Sequence, residues 1–145
     1  MFKGTFYYAT LIPRPLNDTW DFFQKNENLA AITGFPKVKV FGDHLVEQDA
    51  EVKLKLHFGF ISLNWHGRIT ELSAERYFID EGEDIPFPFK SWRHVHAFKA
   101  VDESTTKMID RVTFESFLPA PLIKLMLSGM FFDRKRQLNK LFSAR

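Results

Sequence analysis

The stretch from Pro119 to Phe142 constrains this chain most, because it reads as one long helix carrying an arginine in its apolar stripe. Leu122, Met126, Leu127, Met130, Phe131, Leu138, Leu141 and Phe142 recur at three- and four-residue spacing, which lines one side of a helix. Arg134 falls in the same stripe, four residues after Met130 and four before Leu138. A guanidinium keeps its proton, so on a buried face it requires an anionic or hydrogen-bonding partner. The chain upstream reads mostly as strands, and a sheet with one apolar face requires a cover. The helix is therefore expected to lie across a curved sheet, with the functional site in the space between them.

Thr5 to Ile12 is rich in aromatic and β-branched residues and reads as a first strand, ended by Pro13 and Pro15. Asn17 or Asp18 is expected to cap a short helix with Trp20 and Phe23 on one face. A second short helix, capped by Asn26 or Asn28, runs through Leu29 and Ile32 and is closed by Gly34 and Pro36. From Val38 the period becomes two. Val52, Leu54, Leu56 and Phe58 alternate with Lys53, Lys55 and His57, the pattern of a half-buried strand. Further strands are predicted over Ile61 to Ile69, Arg76 to Glu81, Lys90 to Val101 and Lys107 to Phe117. Pro119 and Pro121 then set up the long helix. This order predicts an α+β chain of the helix-grip type. A curved antiparallel sheet wraps around a long C-terminal helix, with two short helices after the first strand.

At 145 residues without repeats or linkers, residues 1–145 are read as a single ligand-binding domain. The absence of cysteine excludes disulfides, thiolate catalysis and cysteine metal sites. A net charge of +2, spread along the chain, excludes a nucleic-acid footprint. Lys3, Gly4 and Thr5 interrupt the apolar start, and the run from Leu118 to Phe132 contains Lys124 and falls short of the about 20 residues that span a bilayer. A cytoplasmic location is expected. Seventeen phenylalanines, three tryptophans and three tyrosines are first explained by core filling and also suit the lining of an apolar cavity.

Four places carry a family resemblance. They are Glu27-Asn28-Leu29 leading to Ile32-Thr33, Phe78-Ile79-Asp80-Glu81 before a proline-containing turn, Trp92 to Phe98, and Asp110-Arg111-Val112 with the later Arg134 and Leu138. In this order they resemble the SRPBCC or START-like superfamily, which includes the birch-pollen-allergen fold and polyketide cyclases. Small bacterial ligand-binding members are the nearest in look. The resemblance implies a cavity for a hydrophobic ligand. The turn from Asp84 to Phe89 departs from the family pattern, with Ile-Pro-Phe-Pro-Phe in place of a short Gly-Pro turn.

Strand parity supplies candidate site residues. Trp92, His94, His96 and Phe98 share one face, and the two large aromatics make it the inward one. Met108, Asp110, Val112 and Phe114 share a face of the next strand, so Asp110 is expected near both histidines, with Arg134 descending from the helix. The cluster either satisfies itself as structure or orients the polar end of a ligand. Trp65, Tyr77, Trp92 and Phe98 are expected to supply ring contacts, and Met126 and Met130 to adapt to the ligand. For zinc, His94 and His96 would need a third ligand from His66, Asp110 or Glu81, and His66 falls on the outer face, so no metal is expected. No nucleophile motif, phosphate loop or cofactor fingerprint occurs, and no cofactor is expected.

Binding of a small, largely apolar or aromatic ligand, lipid- or polyketide-like, is the leading expectation. A cyclase or aromatase using the same His, Asp and Arg groups is the alternative. Lipid transfer is the third reading. It would use Pro86-Phe87-Pro88-Phe89 as a gate, with Lys90, Arg93, Arg136, Lys140 and Arg145 near a membrane surface. The favoured expectation for that loop is that Phe87 and Phe89 fold back over the cavity mouth.

Overall fold

The computed structural model describes residues 1–143 and follows the predicted order. Strand β1 (Phe2–Ile12) leads into helices α1 (Leu16–Phe23) and α2 (Asn26–Ala31). Strands β2 (Lys37–Val40), β3 (Glu51–His57), β4 (Ser62–Ser73), β5 (Tyr77–Asp84), β6 (Phe89–Asp102) and β7 (Thr105–Ser116) come next, and helix α3 (Ala120–Ser143) closes the fold. All seven strands form one antiparallel sheet in the order β1-β7-β6-β5-β4-β3-β2. Local details differ from the sequence reading. The first residue before α1 is Pro15 and before α2 Lys25, and neither helix has a side-chain cap. Asn26 and Asn28 instead donate to the carbonyls of Asp43 and Phe22, tying α2 to its surroundings. Ile61, expected in β4, lies just before it and is largely exposed.

Helix α3 buries Ile123, Leu127, Phe131, Arg134, Leu138 and Phe142, a stripe spaced by three and four residues that includes the arginine. Leu122, Met126 and Met130, read as part of that stripe, fall to its side and are exposed. The apolar interior is divided. One cluster gathers Trp20, Phe78, Phe98, Met108, Leu138 and others under α1 and α2. The second gathers Phe6, Phe89, Val112, Phe114, Ile123, Leu127 and Phe131 under the first half of α3. Along β7 the inward residues run from Phe114 and Val112 in one cluster, through Asp110, to Met108 in the other. Along α3 Arg134 holds the same intermediate place between Phe131 and Leu138. A polar layer thus separates two apolar cores.

The sheet bends where β4 meets β5. The pairing slips between His66 and Gly67 and again between Ile69 and Glu71, and such bulges sharpen strand twist. At Gly67 an added Cβ would sit 2.8 Å from the backbone oxygen of Glu81, so only glycine permits this approach. By contrast, a Cβ at Gly129, mid-helix in α3, would meet nothing within 4 Å. Gly67→Ala is therefore expected to lower the thermal midpoint, and Gly129→Ala to raise stability by about 1 kcal/mol through helix propensity. Thermal and urea melts followed by circular dichroism measure both, and equal effects of the two changes would contradict this account of the bend.

Candidate functional site

Between the sheet and α3 lies a cavity of about 300 Å³, at the small end of ligand pockets. Its walls are mostly apolar: Val52, Leu54 and Leu56 of β3, Trp65 and Ile69 of β4, and Met126, Met130 and Phe131 of α3. Residues 86–89, with Phe35 and Phe58 in edge-to-face contact, form part of its rim. Phe89 folds inward as expected. Phe87 does not: it is 67% exposed and stacks on Phe117, because the turn places the two phenylalanines on opposite sides.

The polar part of the wall is built by three adjacent strands. Register places His96 opposite both Phe78 of β5 and Asp110 of β7, and His94 opposite Asp80. The alternation of β6 thus delivers both histidines to the inner face, as read from the sequence. Asp110 is fully buried, and Arg134 reaches it with Nη1 at 3.2 Å from Oδ1 and Nη2 on Oδ2, a bidentate pair. His94 Nε2 donates to Asp110 Oδ1 at 2.8 Å. The Arg134 guanidinium also lies over the Phe131 ring at 4.5 Å.

The member missing from the sequence reading is Asp80. Its Oδ2 accepts from His96 Nε2 at 2.5 Å, and its Oδ1 accepts from Trp92 Nε1 at 3.1 Å. His96 is stacked between Phe78, with centroids 4.2 Å apart, and His94, at 3.6 Å. Two atoms of the layer have no hydrogen-bond partner among the described residues, His96 Nδ1 and Arg134 Nε.

Of the ring and sulfur contacts expected from sequence, Trp65, Trp92, Met126 and Met130 line the cavity together with His94, His96 and Arg134. Three expected residues do not. Tyr77 points to the outer face, where its hydroxyl donates to Glu71 Oε2, because β5 presents Phe78 and Asp80 inward. Phe98 is buried under Trp20 of α1, at 5.3 Å between centroids, in the core beyond the cavity. Asp110 stands behind the wall and acts on it through Arg134 and His94. Glu81 and His66, weighed as metal ligands, lie on the outer side, and His66 approaches Glu83 there. Asp80, His94 and His96 are the group whose ligand-capable atoms all fall within 4.8 Å of one another. Asp80 is placed by the pairing of β5 with β6, which sets it opposite His94.

Burial opposes ionisation of Asp110, but the Arg134 charge and the His94 hydrogen bond overcome it and hold the carboxyl well below the usual range. Burial, followed by the neighbouring His94, pushes the His96 imidazole below its ordinary value. Asp80 is also held low: burial opposes this, and the hydrogen bond from His96 leads the groups that outweigh it. His96 is therefore neutral and donates its Nε2 proton to an ionised Asp80.

Removing one partner of the Arg134–Asp110 pair strands a buried charge. Arg134→Leu is expected to cost about 3–5 kcal/mol, and Arg134→Leu with Asp110→Leu to recover a large part of it, measured by urea unfolding as a double-mutant cycle. Independent, additive costs would show that the pair is not coupled. In acid the unfolded chain takes up a proton at His96 below about pH 6.5, and the folded chain only at lower pH, so stability falls as pH drops through that window. Asp110 adds a second loss below about pH 4, where the unfolded carboxyl protonates first. Urea midpoints across the range should show both declines, and His96→Gln should flatten the upper one.

In its fold the chain is similar to solved structures at low identity. The Zhui aromatase/cyclase from Streptomyces sp. R1128 superimposes with a TM-score of 0.71 and 14% identity, covering 94% of this chain and 90% of that one. Ginseng major latex-like protein 151 from Panax ginseng gives 0.72 and 10%, covering 97% of each chain. A START superfamily protein from Mycobacterium smegmatis gives 0.74 and 6%, covering 94% of each. These likenesses, with the sheet and helix order, show the helix-grip fold. No curated protein matches the chain. No helix among the described residues is long and apolar enough to cross a membrane. Residues 45–142 match the model described as Domain of unknown function (DUF8410), and the chain belongs to that family.

Proposed function

We propose that this protein binds a small, largely apolar or aromatic molecule between the sheet and α3. The observation that carries this reading is a mostly apolar cavity of about 300 Å³ with a buried, oriented set of polar groups in its wall, Asp80, His94, His96 and Arg134. Apolar walls supply affinity, and a few fixed polar groups supply orientation. Asp110 keeps a proton on His94 Nε2, which leaves Nδ1 as an acceptor; Arg134 Nε remains a donor. An oxygen substituent on a ring or chain, hydroxyl or carbonyl, suits that combination. The flexible thioethers of Met126 and Met130 suit a ligand of irregular outline.

A second reading is supported by the Asp110–His94 pair. A carboxylate that fixes the imidazole tautomer leaves the other nitrogen free to take a proton, and Arg134 lies close enough to polarise a carbonyl. The cyclase or aromatase alternative uses that pair, and the structurally similar Streptomyces protein is an aromatase/cyclase. The two readings separate on His94→Ala: a binder changes affinity, whereas an enzyme loses turnover with its ligand still bound.

Mass spectrometry of the purified protein under native conditions is expected to detect a co-purified molecule. Leu54→Trp, which fills the cavity from β3, is expected to weaken binding of anilinonaphthalenesulfonate by about tenfold or more, a difference of about 1.4 kcal/mol. Unchanged affinity in a folded Leu54→Trp variant would place binding elsewhere and reject the proposal.

A further inference from the structure

His94 and His96 stand two apart on β6, and Asp80 faces them from the neighbouring strand. We propose that Asp80 Oδ2, His94 Nδ1 and His96 Nε2 form a site for a divalent transition metal of the zinc type, with a further coordination position open to the cavity. The inference deepens the ligand-binding reading and rests on it only for what fills that open position.

The donor set is the first argument. Two imidazoles and one carboxylate suit zinc, iron or cobalt, and three protein ligands with an open position are the arrangement of reactive metal sites. The ligand atoms lie within 4.8 Å of one another. A tetrahedral ion at about 2.1 Å from each donor needs them about 3.4 Å apart. His96 Nε2 and Asp80 Oδ2 are now 2.5 Å apart and His94 Nδ1 and Asp80 Oδ2 3.8 Å, so these two separations change by less than about 1 Å. The two imidazole planes, already inclined by 24°, would fan open around the ion.

Hydrogen bonding around the histidines is the second argument. His94 donates through Nε2 to Asp110, which turns Nδ1 toward Asp80 Oδ2 at 3.8 Å, and this carboxylate–histidine arrangement typically orients a metal ligand. His96 gives its Nε2 proton to Asp80, which leaves its buried Nδ1 without a partner, 3.7 Å from Asp110 Oδ1. A cation on Nε2 replaces that proton and moves the ring proton to Nδ1, where Asp110 can accept it after a small shift. The orphaned atom is then satisfied.

Charge is the third argument. Two carboxylates, Asp80 and Asp110, face one guanidinium, Arg134, and these three groups together carry an excess of one negative charge. A divalent cation reverses that to one positive charge. The open position then favours an anionic oxygen, such as an enolate, phenolate or carboxylate at the polar end of an apolar molecule.

The test uses the full chain stripped of metal with a chelator. Titration with Co²⁺ is expected to reach one ion per chain, with the visible absorption of a four- or five-coordinate site. Pulsed EPR of the Cu²⁺-loaded protein should show two coupled imidazole nitrogens. Asp80→Asn and His96→Gln are expected to weaken Co²⁺ binding at least about 100-fold, whereas His66→Gln leaves it unchanged. Co²⁺ should raise the melting midpoint of the unaltered chain and not of Asp80→Asn. Absence of the absorption bands, coupling to fewer than two imidazoles, or equal Co²⁺ affinity in the folded Asp80→Asn protein would overturn the proposal. If the substituted chains fail to fold, the Cu²⁺ spectrum of the unaltered protein decides alone. Retention of Co²⁺ by Leu54→Trp, with loss of anilinonaphthalenesulfonate binding, is the expected separation of the two sites. Intact probe binding with no Co²⁺ binding would remove the metal and leave the cavity reading standing.

Discussion

The ion pair between Arg134 and Asp110 governs how the two halves of the structure fit together. Both groups are taken out of water, and neither is tolerable there alone. Because Arg134 sits on α3 and Asp110 on β7, the pair fixes the position of the helix along the sheet. Sliding α3 by one turn, about 5.4 Å, would carry the guanidinium into one apolar cluster and leave the carboxylate unpaired. A wholly apolar stripe would permit several such positions. The pair therefore contributes a unique alignment more than it contributes net stability.

That alignment also organises the chemistry. With Arg134 occupying one side of Asp110, the remaining acceptor capacity is directed to His94, and the ring is held against His96 and Asp80. A residue outside the cavity thus determines which nitrogen of a residue inside it carries a proton. The polar layer continues from α3 through β7, β6 and β5, each strand contributing one or two inward groups. It faces the cavity, whose apolar walls draw on both clusters.

Much of this was legible in the residues. The long helix, the switch to a period of two, and the inward phase of β6 and β7 follow from spacing, because Trp92, Phe98, Val112 and Phe114 mark their faces clearly. Asp80 was obscured because Phe78 and Ile79 are adjacent, apolar and both buried, so alternation assigns no face to β5. Tyr77 was misplaced for the same reason. Phe98 was placed on the correct face, yet only the packing of α1 decides that Trp20 covers it rather than a ligand. Pairing register and helix placement are long-range facts, and local spacing does not encode them.

The sheet ends in two edges, β1 and β2, which do not pair with each other. Exposed backbone at such edges invites another chain to add a strand. The two are protected in different ways. Strand β2 is only four residues long and packs beside α2. Strand β1 is eleven residues long, with Tyr7 and Leu11 outward, and α3 packs on its inner face, where Phe131 meets Phe6 and Tyr8. The helix that encloses the cavity thus also shields the apolar face of the longer edge strand: loosening it to admit a large guest would bare Phe6 and Tyr8 beside an unpaired edge. The fold can open its site only as far as that face stays covered.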